Sequence, residues 1–198
     1  MTAGYESKEY ERLVKRKFRP YSRGHRAMYE TAVQTIAKTA DQVRIFEAGF
    51  GIGWGLNHML EAGVVKEYVG CEPNADSFKY TNDALGMHPK VGMLIPSPFV
   101  PDIVEDLQVH YERDSGYPFD EAFCIEVIEH VPMGEHLDFL KGLRQLAPRL
   151  WFSTPDMVKV PKEGVRTAAA WVELLHEAGF RTVDVNTQNW TYLYECRA

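Results

Sequence analysis

The stretch VRIFEAGFGIGWG, residues 43–55, decides how the rest of the chain is read. Val43, Ile45 and Phe46 form a short apolar run that ends at Glu47, and glycines then stand at 49, 51, 53 and 55. The apolar run predicts a buried strand. Glycine adopts positive φ without strain and leaves no Cβ in the way, so the alternating glycines predict a tight turn whose backbone comes close to a ligand. Leu56, Met59 and Leu60 then fall on one helical stripe. A glycine loop between a strand and a helix N-terminus is where α/β proteins hold nucleotide-like ligands. The dinucleotide fingerprint Gly-x-Gly-x-x-Gly does not fit. Counted from Gly49, Gly51 or Gly53, its third glycine falls on Trp54, Leu56 or His58. No Walker lysine is present either, so a phosphate cradle is unsupported.

What fits is Glu-x-Gly-x-Gly-x-Gly, with Glu47, Gly49, Gly51 and Gly53 in the four fixed places. This loop resembles the cofactor loop of class I S-adenosylmethionine-dependent methyltransferases. The resemblance implies room for the methionine part of the cofactor and its sulfonium, with Glu47 as an acidic residue suited to a cation. A second strand is expected at 64–70, closing on Cys71-Glu72-Pro73. Glu72 lies on the order of 20 residues past the glycines, the distance at which a carboxylate takes both hydroxyls of a ribose. A nicotinamide cofactor would use the same carboxylate, so Glu72 discriminates only in combination with the glycine spacing.

The second informative run is FDEAFCIEVIEHVP, residues 119–132, an apolar strand pattern ending in a cluster of polar groups. It resembles the fourth-strand motif of ubiquinone-biosynthesis type O-methyltransferases and of small-RNA 3′-end 2′-O-methyltransferases. In both, a Glu-Val-x-Glu-His run faces the substrate side of the cofactor. Glu126, Glu129 and His130 are therefore the catalytic candidates. They stand at i, i+3 and i+4 and share a face if the chain turns helical after the strand. Two chemistries remain open for them. Two carboxylates and an imidazole could hold Mg²⁺, which would lower the pKa of an acceptor hydroxyl. Alternatively His130 is a general base and Glu129 orients it. The small-RNA enzymes complete their metal site with a histidine shortly after the fifth strand, and residues 156–166 contain none. That argues against the metal and against RNA 3′-end chemistry.

The remaining chain is read outward from these two runs. Helices are expected at 7–18 and 25–40, the latter packing Met28, Ala32, Val33 and Ile36 inward. Residues 1–42 would form a lid, in which Arg23 and Arg26 could pair with the cofactor carboxylate. Residues 74–85 read as a helix capped by Asn74 or Asp76. The third strand is either 91–95 or 107–112. The latter would bring Asp114 to the adenine end of the cofactor but leave a long insert. Beyond the fourth strand come a helix at 133–146, a strand at 150–155, a helix at 167–178 stopped by Gly179, and strands at 180–185 and 190–196. His136 and His176 fit no site position and are expected at the surface.

Composition fits one domain with a proper core: 198 residues with ordinary apolar and charged fractions. No apolar run approaches the roughly 20 residues that a membrane helix needs, and the polar N-terminus does not resemble a secretory signal. Cys71, Cys124 and Cys196 have neither zinc nor disulfide spacing, and are expected as buried thiols in a reducing cytoplasm. The net charge is -6, yet residues 1–28 hold eight basic against three acidic side chains. An acidic body disfavours a general nucleic-acid binder, while the basic arm leaves an RNA partner open.

These readings converge on an α/β fold, with a Rossmann-like, seven-stranded, mostly parallel sheet over 43–198 whose last strand is antiparallel. The expected activity is methyl transfer from S-adenosylmethionine to a small-molecule acceptor, at oxygen in preference to nitrogen. The Asp/Asn-Pro-Pro-aromatic run of base N-methyltransferases is absent; Ile125-Glu126-Val127-Ile128 stands in its place. A ribose 2′-O RNA methyltransferase and a non-catalytic cofactor-binding module are the alternatives, since fold alone does not dictate chemistry.

Overall fold

The computed structural model describes Arg12, Lys15, Pro20 and residues 22–97, 100–111, 116–155, 166–188 and 191–198. The expected helix at 7–18, except for Arg12 and Lys15, lies outside these residues, as do Asp114 and most of 156–166.

Seven strands form one sheet in the order β3-β2-β1-β4-β5-β7-β6. The strands are β1 (Val43–Ala48), β2 (Val65–Cys71), β3 (Val91–Ile95), β4 (Glu121–Cys124), β5 (Arg149–Pro155), β6 (Thr182–Gln188) and β7 (Thr191–Arg197). β7 runs antiparallel between β5 and β6, as expected. The third strand is 91–95. Residues 107–110 belong instead to α4 (Val104–His110). Leu107-Gln108-Val109 alternates like a strand, but Val104 and Leu107 are buried together while Val109 is 75% exposed. That is helical spacing with one apolar face.

Alternation along the strands sorts the core into two layers. Ile45, Phe123, Trp151 and Leu193 face one side, against α1 (Arg23–Thr39), α2 (Trp54–Glu61) and α3 (Ala75–Leu85). Phe46, Ala122, Phe152 and Tyr194 face the other, against α4, α5 (His136–Leu146) and α6 (Ala168–Glu177). The caps are legible in sequence. Ser22, Asn74 and Thr167 each accept an amide N–H of the helix they open, and Gly179 follows α6 at φ 100°. All three cysteines are free and buried.

His136 is a correction: it is fully buried, with Nε2 2.9 Å from the Val131 carbonyl and its ring stacked on Trp171. Burial lowers its pKa, which suits a neutral imidazole in a core. Among the described residues no helix is long and apolar enough to cross a membrane.

The order of the strands reverses between β1 and β4, so a crevice opens at their C-terminal ends, where open α/β sheets bind ligands.

Candidate functional site

The crevice is built on the turn after β1. Gly49, Gly51 and Gly53 have φ of 72°, 54° and 70°, the left-handed region in which a side chain is strained. A Cβ on Gly49 would also sit 2.4 Å from the Val127 side chain, so this residue lets the two sides of the crevice meet. Gly53 is the N-cap of α2, and a Cβ there would strike Thr81. Two glycines thus line the cavity, while Gly53 shapes the turn from behind.

Glu72, at the end of β2, reaches across to this turn. Its Oε2 accepts the Gly51 N–H at 2.7 Å and its Oε1 accepts the Asn74 N–H at 2.8 Å. Burial raises its pKa and the two amide bonds oppose the rise. A carboxylate has about four acceptor sites, so both oxygens keep capacity for a pair of ligand hydroxyls.

The cavity facing Glu72 has a volume of about 530 Å³, within the range of ligand sites. Gly49, Gly51, Glu72, Glu126, Glu129 and His130 all line it. A second cavity of about 370 Å³ adjoins it and shares Gly49, Pro73, Val127 and His130 with the first. Ala48, Cys71, Val131, Pro132 and Phe139 make that second compartment largely apolar. Together they form an elongated crevice, polar over the glycine turn and apolar beyond Val127.

The far wall follows β4. Glu126 has φ 56°, the one described non-glycine residue in the left-handed region. Its N–H donates to Ser153 Oγ at 2.8 Å, and its carboxylate is hydrogen-bonded to the side chain of Thr191. β5 and β7 therefore hold this bend from behind. Burial raises the Glu126 carboxyl pKa, and the Thr191 bond opposes that. The chain then makes a 3₁₀ turn, Ile128–His130, which places Glu129 half-buried and His130 exposed on the same cavity.

Three candidates stand elsewhere. Glu47 does not line the cavity: it is fully buried on the α1 side of β1. The Tyr29 hydroxyl donates to one of its oxygens and the Tyr68 hydroxyl to the other, at 2.5 Å. Burial pushes its pKa up to about 7, against the pull of both tyrosines. Glu47 thus ties α1 and β2 to β1 under the glycine turn. Arg23 and Arg26 are exposed on α1 and line neither cavity, and Arg26 pairs with Glu30 at 2.7 Å.

The residue that α1 does bring to the cavity is His25, 6% exposed, with its ring 5.1 Å from Tyr29 and 5.5 Å from Trp54. His25, Met28, Tyr29 and Ala32 follow helical spacing on the buried face. That stripe was the signal for His25, hidden by the basic residues beside it.

Mg²⁺ is poorly matched. Among the described residues no three His, Cys, Asp or Glu side chains converge as metal ligands. Glu126, Glu129 and His130 share a wall without forming a chelate.

No protein-family model matches the chain, and no curated protein matches it in sequence. Solved structures do share its fold. The CurJ carbon methyltransferase superposes with a TM-score of 0.68 at 15% identity, over 90% of this chain. This chain spans 56% of that protein's length. The magnesium protoporphyrin IX methyltransferase ChlM from Synechocystis PCC 6803, with bound SAM, gives a TM-score of 0.65 at 17% identity, covering 98% of this chain and 93% of that one. A SAM-dependent methyltransferase from Aquifex aeolicus gives 0.64 at 14% identity, over 94% and 97% of the two chains. The chain therefore has the fold of these S-adenosylmethionine-dependent methyltransferases.

Proposed function

We propose that this chain transfers a methyl group from S-adenosylmethionine to a small-molecule acceptor, at an oxygen atom. The observation that supports it most is Glu72, whose two oxygens are pinned by the Gly51 and Asn74 amides at the mouth of the glycine turn. That arrangement suits a ribose, and the phosphate-binding glycine patterns that would indicate another nucleotide are missing. Bound there, the cofactor supplies an electrophilic methyl on a positively charged sulfur.

The residues of the chain then divide the work by position. Gly49 and Gly51 leave room for the methionine part, Glu72 orients the ribose, and the apolar compartment beyond Val127 receives the adenine. Glu126, Glu129 and His130 hold the acceptor against the donor, and orientation in a dry pocket lowers the barrier by several kcal/mol. His130 takes the proton of the acceptor hydroxyl, since an imidazole ordinarily titrates near neutrality.

Labelled S-adenosylmethionine, incubated with the protein and pools of small hydroxyl compounds, tests this reading. Label should move to an acceptor, and His130→Ala should slow the transfer by about a hundredfold or more while cofactor binding persists. Transfer to RNA alone, lost when Lys15, Arg16 and Lys17 become Glu, would contradict the small-molecule acceptor. Cofactor binding without transfer to any acceptor would leave a binding module.

A further inference from the structure

The acceptor end of the cavity carries two carboxylates and two imidazoles. His25 comes to it from α1, Ile125 and Glu126 from the exit of β4, and Glu129 and His130 from the 3₁₀ turn. Among the described residues lining this cavity there is no lysine or arginine. Glu72, the third carboxylate, is occupied at the other end with the Gly51 and Asn74 amides.

Glu126 is the most constrained member of this wall. Its backbone bends into the left-handed region, its N–H is held by Ser153 on β5, and its carboxylate is bonded to Thr191 on β7. A single hydroxyl uses only part of a carboxylate's acceptor capacity, so the group can still receive a donor from the cavity. An anion brought against Glu126 would meet its carboxylate in a partly buried wall, where like charges are weakly screened. A hydroxyl, amine or ammonium would instead gain a charge-assisted hydrogen bond.

Resting on the methyl-donor reading, we propose that Glu126 selects the acceptor. It accepts a hydrogen bond from an O–H or N–H next to the transferring methyl, and the site excludes acceptors with a carboxylate or phosphate at that place. The substrate class is a neutral or cationic small molecule that presents a hydrogen-bond donor.

Sinefungin and S-adenosylhomocysteine probe this without knowledge of the acceptor. The two share the ribose, adenine and amino-acid parts, but sinefungin places an ammonium where the methyl would be. Calorimetric titration should show wild-type protein binding sinefungin at least about tenfold tighter than S-adenosylhomocysteine, the value of one hydrogen bond to a charged group. In Glu126→Gln that preference should fall below about threefold, because the amide no longer supplies the charge. Equal affinities in the wild type, or an undiminished preference in Glu126→Gln, would overturn the proposal. The wild-type comparison stands even if the variant folds poorly. If neither compound binds, the methyl-donor reading fails and this one falls with it. If S-adenosylhomocysteine binds and sinefungin gains nothing, only the selection by Glu126 fails.

Discussion

Two glycines with nearly the same φ show how much of the glycine turn is conformation and how much is contact. Gly49 has φ 72° and Gly63, between α2 and β2, has φ 75°. A Cβ on Gly63 would meet nothing within 4 Å, whereas on Gly49 it would strike Val127 at 2.4 Å. Gly63→Ala should therefore cost only the backbone term, about 1 kcal/mol in denaturant unfolding, and leave ligand binding intact. Gly49→Ala adds a clash across the crevice and should cost about 2–4 kcal/mol, with S-adenosylhomocysteine affinity down by about tenfold or more. Equal costs for the two would mean that Val127 yields freely. Glu126 belongs to the same scale. Positive φ at an ordinary side chain gathers at functional sites, yet nothing in the letters Ile-Glu-Val-Ile signals it. The bend depends on Ser153 and Thr191, which are distant in sequence, so only the folded sheet shows it.

Among the elements, α1 is the one whose sequence misleads. Its charged residues point to Arg23 and Arg26 as partners of the cofactor, but both lie on the solvent face, and the residue that lines the cavity, His25, is on the apolar stripe. Tyr29 passes between α2 and β4, edge-on to Trp54 at 5.6 Å and stacked on Phe123 at 5.9 Å, to reach Glu47. A Cβ on Gly55 would strike its ring, so the fourth glycine of the run serves this helix rather than the ligand. Tyr29→Phe keeps the packing and removes one bond to a buried carboxylate. Thermal or denaturant unfolding should show a loss of about 1–3 kcal/mol. β1 and the Glu72 position were legible because apolar runs and spacing are local signals. The third strand was not, because Leu107-Gln108-Val109 fits both periods and only packing of Val104 and Leu107 decides between them.

For the whole molecule, the topology followed from the alternation of strand and helix signals together with the resemblance of the two motifs. Its electrostatics did not, since they depend on burial. Glu47 is a carboxyl whose pKa is raised in the folded state to about 7, from an ordinary 4.5. The folded state therefore binds the extra proton across that window, and the stabilisation is full below about pH 4.5 and lost as pH rises through about 7. The shift corresponds to about 3 kcal/mol. Glu121, on the neighbouring strand β4 two residues before the Glu47 partner Phe123 and held by Arg149 and Trp151, is also pushed up to about 7 by burial and adds a slope of the same sign. Glu47→Gln separates the two. Between pH 4.5 and 7.5 its unfolding free energy should fall by about 3 kcal/mol less than that of the wild type, measured by urea denaturation at each pH.

On the proposed reading, the crevice beside Gly49, Gly51 and Glu72 holds the ribose of a methyl donor. Calorimetric titration of S-adenosylhomocysteine into wild-type protein and into Glu72→Ala addresses it directly. Saturable one-to-one binding to the wild type, weakened by about tenfold to a hundredfold in the variant, is the expected result, as for loss of hydrogen bonds to a charged group. No binding to the wild type, or equal affinity in Glu72→Ala, would contradict it.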